Sequence, residues 1–302
     1  MSEPTEIPTE ITVELPHLSV GALVWGPPDG PLVLCLHGYP DTAWTWRHLG
    51  PALAERGYRV VAPFTRGYAP TSIPTDRIFH PAALMADALD LHKALGGDDR
   101  AILAGHDWGA ITANGVGAHP DSPFRRIVSM AVPPLEAFAQ TGGRTVHWLG
   151  QLGRQLPKSW YIGLNQIPAL PERLQGRMVP LLWKRWSPGY DGRKDVALVL
   201  ESLSSPESRS AALGYYRDTV RRRTLPASYR ESLKHWQGTP LVPTLYLHGA
   251  DDGCLHKEFA EAARRVLPSG SEVHVVAAAG HFLHLEQPET AARLVLSFLA
   301  QA

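Results

Sequence analysis

This sequence has few cysteines, no net charge and no long apolar run. Cys35 and Cys254 are the only 2 cysteines in 302 residues, too few for a disulfide framework and without the spacing of a zinc site. Basic residues number 29 and acidic residues 29, so no net charge directs the chain toward nucleic acid or an anionic membrane surface. No apolar run approaches the roughly 18 residues of a membrane-spanning helix, and residues 1–10 are unlike a signal peptide. We therefore expect a soluble, cytoplasmic protein.

Short apolar segments alternate with helical patterns along most of the chain. Leu32–Leu36 is apolar at every position, which is typical of a strand buried on both faces. Such alternation predicts an α/β fold with a mostly parallel sheet of about eight strands, covered by helices on both faces. The predicted strands are 11–15, 18–25, 32–36, 59–62, 101–104, 126–131, 241–248 and 272–277, and the predicted helices outside the region 133–237 are 44–56, 81–95, 110–118, 257–266 and 288–300.

The alternation stops between residues 133 and 237. Strand patterns are missing there, and Trp, Tyr, Pro and Arg are common, which indicates short helices joined by proline-rich turns. We interpret this region as a helical cap inserted into one α/β core, whose two parts are 1–132 and 238–302. Such a cap is expected to lie over the carboxyl ends of the strands, where sites in these sheets are found.

Two glycines flank a central aspartate in Gly105-His106-Asp107-Trp108-Gly109. A strand is predicted before this segment and a helix after it, which is the setting of a nucleophile elbow. A carboxylate has a reference pKa of about 3.9 and is already ionised at neutral pH. It forms an ester by attacking a tetrahedral carbon that carries a leaving group. Asp107 therefore predicts an epoxide or alkyl halide as substrate, and the competing interpretation is a simple helix N-cap.

A second loop, His37-Gly38-Tyr39-Pro40-Asp41, directly follows the predicted strand 32–36. The backbone N–H groups of Tyr39 and Trp108 are candidates for an oxyanion hole, which would act when water attacks the ester on Asp107. His37 is interpreted mainly as a structural hydrogen bonder in this loop, and it is also a candidate for substrate binding.

Hydrolysis of an aspartyl ester needs a base that activates water. In folds with this elbow the chain order is nucleophile, acid, histidine. His281 follows a predicted strand and a glycine, and we expect it to be the base. The loop after the predicted strand 241–248 offers Asp251 and Asp252, and we favour Asp252 as the acid that fixes the tautomer of the imidazole. His284 is interpreted as a packing or locally hydrogen-bonded residue.

Together these motifs resemble the α/β-hydrolase-fold epoxide hydrolases, and more distantly the haloalkane dehalogenases. The resemblance covers nearly the whole chain from about residue 10. It is carried by the two loops above, by Arg66-Gly67-Tyr68, by Gly249-Ala250-Asp251-Asp252 and by Gly280-His281-Phe282. The aromatic residue at Tyr39 is usual for epoxide hydrolases, whereas haloalkane dehalogenases often have asparagine there.

The resemblance also implies two cap tyrosines that donate hydrogen bonds to the epoxide oxygen. One such tyrosine usually precedes an arginine, and Gly214-Tyr215-Tyr216-Arg217 matches this pattern with Tyr216 as the donor. The other is expected at Leu164, where the chain departs from the family. Tyr161 lies one helical turn earlier and is the candidate substitute.

The implied activity is hydrolysis of a small, apolar epoxide to a vicinal diol, with no metal and no cofactor, by a monomer or homodimer. Dehalogenation of a haloalkane or haloacid by the same triad is the alternative activity. A non-catalytic binding protein with the same fold is the alternative from a different class.

Overall fold

A computed structural model of the chain describes residues 7–139, 153, 155–221 and 224–301. Its eight strands form one sheet in the order β1-β2-β4-β3-β5-β6-β7-β8. The first two pairings, β1 with β2 and β2 with β4, are antiparallel, and the remaining five are parallel. The strands are β1 (Thr9–Glu14), β2 (Ser19–Trp25), β3 (Leu32–Leu36), β4 (Arg59–Pro63), β5 (Ile102–His106), β6 (Arg126–Met130), β7 (Thr244–Gly249) and β8 (Glu272–Val276).

Alternate residues of the central strands supply two separate cores. In β3, Val33 and Cys35 belong to one hydrophobic cluster, and Leu32, Leu34 and Leu36 belong to the other. Side chains of a strand point alternately to opposite faces, so a strand buried on both faces must be apolar at every position. This confirms the α/β fold that the continuous apolar runs predicted.

Helices cover both faces of this sheet. Helices α2 and α3 contribute to the same cluster as Leu34, and α1 and α12 contribute to the cluster of Val33. The helices in chain order are α1 (Leu49–Ala54), α2 (Pro81–Ala94), α3 (Trp108–Gly117), α4 (Glu136–Ala139), α5 (Trp160–Leu164), α6 (Leu170–Trp186), α7 (Arg193–Ser202), α8 (Pro206–Val220), α9 (Arg230–His235), α10 (Glu258–Val266), α11 (Leu283–Glu286) and α12 (Pro288–Leu299).

Two predicted elements were wrong in extent. The predicted helix 44–56 is a 3₁₀ turn at Ala43–Trp46 followed by the short α1. Pro51 has no N–H to donate to the carbonyl oxygen of residue 47, which interrupts the hydrogen bonding that one continuous helix would need. The predicted strand 241–248 begins only at Thr244, because Pro243 cannot donate to a strand ladder.

Six helices, α4 to α9, lie between β6 and β7, and the described residues of this region contain no strand. The cap predicted at 133–237 includes residues 140–152, 154, 222 and 223, which are outside the described residues, and its boundaries stay a prediction. Within the described part of the chain, no helix has the apolar length that a bilayer crossing requires.

Candidate active site

Asp107 occupies a sharp turn between β5 and α3. Its φ of 54° and ψ of −117° are sparsely populated by residues other than glycine. A Cβ atom added at Gly105 would lie 2.1 Å from the carbonyl oxygen of Gly109, and one added at Gly109 would lie 2.1 Å from that of Leu36. Only glycine fits at either position, so the sequence pattern and the observed turn have the same steric cause.

The carboxylate of Asp107 is held by the loop after β3. The backbone N–H of Tyr39 donates to Asp107 Oδ1 at 2.8 Å. A Cβ atom at Gly38 would lie 2.3 Å from the same oxygen and 2.5 Å from the backbone nitrogen of Trp108. Trp108 begins α3, where N–H groups have no acceptor inside the helix. The two predicted oxyanion donors, Tyr39 and Trp108, therefore lie beside one oxygen of Asp107.

The other oxygen of Asp107 faces His281. Asp107 Oδ2 lies 3.6 Å from His281 Nε2, and His281 Nδ1 lies 3.0 Å from Asp252 Oδ2. The second oxygen of Asp252 accepts the backbone N–H groups of Cys254 at 2.6 Å and Leu255 at 3.0 Å. The structure thus brings Asp107, His281 and Asp252 together, whereas Asp251 is exposed.

The two carboxylates control the charge of His281. Burial lowers the pKa of this imidazole, but the charges of Asp252 and Asp107 and the hydrogen bond to Asp252 outweigh burial and raise the pKa from 6.5 to about 10. Burial raises the pKa of Asp252, and the charge of His281 overrides that effect, so the pKa of this carboxyl is lowered. The two acidic side chains therefore favour the charged form of the His281 imidazole in the resting site.

The C-terminus of α6 joins the loops that carry the acid and the base. The carbonyl oxygen of Trp186 accepts the backbone N–H of Gly253 at 3.1 Å and that of His281 at 3.0 Å. Carbonyl groups in the last turn of a helix lack partners within the helix, which makes such a bridge possible. A helix between β6 and β7 thus fixes the separation of Asp252 and His281.

A cavity of about 250 Å³ opens in front of Asp107. Its lining is mainly apolar and contains two phenols. The hydroxyl of Tyr216 donates to no acceptor among the described residues, and its ring stands edge-on to those of Tyr39, Trp108 and Tyr161, with centroids 5.0 to 5.6 Å away. Burial, above all, raises the pKa of Tyr216 and Tyr161, so both remain protonated donors. The lining residues are Asp107, Trp108, Ile111, Val132, Leu135, Phe138, Gln155, Ser159, Tyr161, Ile162, Tyr216, Thr219, Val220, Cys254 and Leu255.

The two candidates for the second tyrosine position differ in their place relative to this cavity. Tyr161 on α5 lines it, and Leu164 is absent from the described lining. Leu164 packs against the main hydrophobic cluster instead. The side chain of Tyr161 therefore shares the cavity with Asp107, and that of Leu164 is not among its lining residues.

His37 does not face the cavity. Its Nε2 accepts the backbone N–H of Thr65 at 2.9 Å, and its Nδ1 lies 2.9 Å from the carbonyl oxygen of Gly38. Burial lowers the pKa of His37 to about 4, so the ring is neutral at physiological pH. One ring nitrogen is bonded within the loop and the other to the segment after β4, which favours the structural interpretation over the substrate-binding one.

A buried group of side chains behind His281 was not predicted as a unit. His106 Nε2 donates to the carbonyl oxygen of His281 at 3.0 Å, and His284 Nε2 lies 2.6 Å from Thr45 Oγ1. Possible metal-ligand atoms of Asp41, His106 and His284 lie within 4.8 Å of one another. The observed hydrogen bonds fix the backbone on either side of the base, and for His284 they agree with the predicted local role.

Sequence reasoning also missed three residues beside the acid. Cys254 places its sulfur in the cavity, and Gln155 and Lys158 donate to carbonyl groups of the loop 252–255. The only available signal for Cys254 was its position two residues after Asp252. Gln155 and Lys158 gave none, because the packing of a helix against a distant loop leaves no local pattern.

Comparison with known proteins agrees with this geometry. Residues 33–294 match the Alpha/beta hydrolase family. Epoxide hydrolase A of Mycobacterium tuberculosis is 30% identical over 97% of both chains, and human epoxide hydrolase 4 is 29% identical over 90% of this chain and 73% of that protein. The structure of an epoxide hydrolase from Vigna radiata superposes with a TM-score of 0.75 at 25% identity over 99% of both chains. The predicted resemblance is confirmed. The chain therefore belongs to the alpha/beta hydrolase family, and its similarity to epoxide hydrolases over nearly its whole length identifies it as an enzyme of that family.

Proposed function

We propose that this enzyme hydrolyses an epoxide to a vicinal diol through a covalent ester on Asp107. The observation that supports the proposal is that the two oxygens of Asp107 have different surroundings. The N–H of Tyr39 binds Oδ1, Oδ2 faces His281, and Asp107 lines the cavity. An ionised carboxylate with one oxygen held and one oxygen free is suited to attack an electrophilic carbon.

In the first step, Asp107 Oδ2 attacks an epoxide carbon and the carbon–oxygen bond of the ring breaks. The bonding electron pair moves to the epoxide oxygen, which becomes strongly basic. Tyr216 and Tyr161 line the same cavity as Asp107, and their phenols donate to this oxygen and protonate it. The apolar lining favours an epoxide with an aromatic or aliphatic substituent.

In the second step, water attacks the carbonyl carbon of the ester. After attack through Oδ2, the carbonyl oxygen of the ester is Oδ1, which the N–H of Tyr39 already binds. The negative charge that develops on this oxygen is therefore met by donors in place before the reaction, and such donors contribute several kcal/mol of stabilisation. The tetrahedral intermediate then collapses and the bond between Cγ and Oδ2 breaks. The second proton of the water passes to Oδ2, which leaves as a hydroxyl of the diol, and the carboxylate is restored.

The charge of His281 changes between the two steps. In the resting site two carboxylates raise its pKa to about 10. Esterification removes the charge of Asp107, so burial has more weight and the imidazolium releases its proton. This proton restores the phenol that protonated the epoxide oxygen. The neutral imidazole, oriented by Asp252, then takes a proton from water. Proton uptake and release cancel over one turnover.

The proposal is tested by trapping the ester. We expect His281→Gln to accumulate a protein adduct equal in mass to styrene oxide, located on Asp107, with diol formation lost. Asp107→Asn is the matched control and should form no adduct. Absence of an adduct in His281→Gln, or full activity of Asp107→Asn, would contradict the proposal. Halide release from haloalkanes, without epoxide consumption, would replace it with dehalogenation.

A further inference from the structure

Among the residues that the structure describes, the hydroxyl of Tyr161 has one hydrogen-bond partner, and that partner is the thiol of Cys254. Tyr161 Oη lies 3.6 Å from Cys254 Sγ, within reach of a hydrogen bond to sulfur. Both side chains are buried, with 5% and 4% of their surface exposed, and both line the cavity in front of Asp107. The thiol is therefore in direct contact with a proposed donor to the epoxide oxygen.

The direction of this hydrogen bond decides what Tyr161 can do. A hydroxyl that donates to sulfur has no proton left for a substrate, whereas one that accepts from the thiol keeps its proton free. Burial, followed by the negative charges of Asp252 and Asp107, raises the pKa of Cys254 well above its usual range. The sulfur therefore carries its proton and is a competent donor to Tyr161 Oη.

Three contacts fix the thiol relative to both the acid and the helix of Tyr161. The N–H of Cys254 donates to Asp252 Oδ1 at 2.6 Å, and its carbonyl oxygen accepts from Gln155 Nε2 at 2.7 Å. Lys158 Nζ donates to the carbonyl oxygen of Asp252 at 2.8 Å. Gln155 and Lys158 immediately precede α5, so the acid loop and the tyrosine helix are joined around Cys254.

We infer that Cys254 is a positioning residue for epoxide opening, in which its thiol donates to Tyr161 and directs the Tyr161 proton toward the epoxide oxygen beside Tyr216. This inference rests on the proposed function. As the ring bond breaks, its electron pair moves to the epoxide oxygen, and negative charge is shared with Tyr161 Oη. The thiol hydrogen bond strengthens at that moment, because donors in a chain polarise one another. Cys254 thereby enables Tyr161 to act as the second hydrogen-bond donor to the epoxide oxygen. Leu164, which stands where the family pattern has a tyrosine, has no hydroxyl for this role.

Ester formation is the step to measure, by rapid quench and intact mass with styrene oxide. We expect Cys254→Ala to slow it about three- to tenfold, the usual effect of losing one net hydrogen bond. Cys254→Ser keeps a donor and should remain within about twofold of the unchanged enzyme. Hydrolysis of the ester, which does not use Tyr161, should keep its rate in both variants. Cys35→Ala, at the other cysteine and away from the cavity, is the matched control.

A double-mutant cycle separates positioning from simple packing. In a Tyr161→Phe background, Cys254→Ala should have no further effect on ester formation, because the hydroxyl that it positions is gone. An equal loss in both backgrounds, or a Cys254→Ser variant as slow as Cys254→Ala, would overturn the inference. Ester formation at the unchanged rate in Cys254→Ala would overturn only this inference, whereas no ester in the unchanged enzyme would overturn the proposed function as well.

Discussion

Replacing Asp252 with asparagine is expected to stop the reaction at the ester. A charge 3.0 Å from His281 Nδ1 stabilises the imidazolium by about 5 kcal/mol at an effective dielectric constant near 20. Losing it lowers the pKa of His281, because burial then opposes the charged form with less compensation. The geometry predicts a further effect, because one oxygen of Asp252 accepts two backbone N–H groups, from Cys254 and Leu255. The oxygen of the new amide stays with these donors, and its NH₂ group faces His281 Nδ1.

That arrangement forces the ring proton onto Nε2, which then cannot accept a proton from water. The wrong tautomer in a comparable triad lowers turnover by about 10⁴-fold, and we expect a loss of 10³- to 10⁴-fold in ester hydrolysis. Ester formation should change much less, because Asp107 itself is untouched. Rapid quench with intact mass follows both rates, and Asp251→Asn, at the exposed neighbour, is the control. Ester hydrolysis at the normal rate in Asp252→Asn, or an equal loss in Asp251→Asn, would refute the reasoning.

Three further outcomes follow from the structure. Tyr216→Phe should slow ester formation about 10²-fold without loss of folding stability. Tyr215→Phe should mainly lower the stability of the fold, because the hydroxyl of Tyr215 donates to the carbonyl oxygen of Arg66. Stopped-flow kinetics and thermal melts distinguish the two variants. Gly109→Ala should prevent folding or lower the melting temperature sharply, whereas Gly176→Ala, in open space on α6, should stabilise by up to about 1 kcal/mol. The raised pKa of His281 contributes to the free energy of unfolding, and this contribution is fully present below pH 6.5. It should be lost as the pH rises through about 10. Denaturant titrations at several pH values should show this loss in the unchanged enzyme and not in His281→Gln.

Steric and periodic signals made much of the fold predictable. The apolar run at Leu32–Leu36 allows only a strand buried on both faces, and the glycines around Asp107 allow only a sharp turn. The same signals brought Asp107 and His281 to one edge of the sheet, since the carboxyl ends of parallel strands meet there. Asp252 was favoured over Asp251 by spacing alone, and its side chain is the one that contacts His281.

Contacts between distant segments were not predictable in this way. Whether Tyr161 or Leu164 lines the cavity depends on how α5 packs against the loop 252–255, and Gln155 and Lys158, which precede α5, are hydrogen-bonded to that loop. The hydrogen bonds from both loops to the carbonyl oxygen of Trp186 were equally unpredictable, because every residue has a backbone carbonyl and the sequence does not show which one will be used. The cytoplasmic location and the monomeric or homodimeric state stay predictions.

The most direct test of the account is the fate of solvent oxygen at Asp107. Water attacks the ester carbonyl carbon, so one oxygen of the carboxylate is replaced in each turnover. After many turnovers in ¹⁸O-water, the peptide that contains Asp107 should carry the label, and the first turnover should give an unlabelled diol. Label found in the diol of the first turnover, with none in Asp107, would contradict the covalent route.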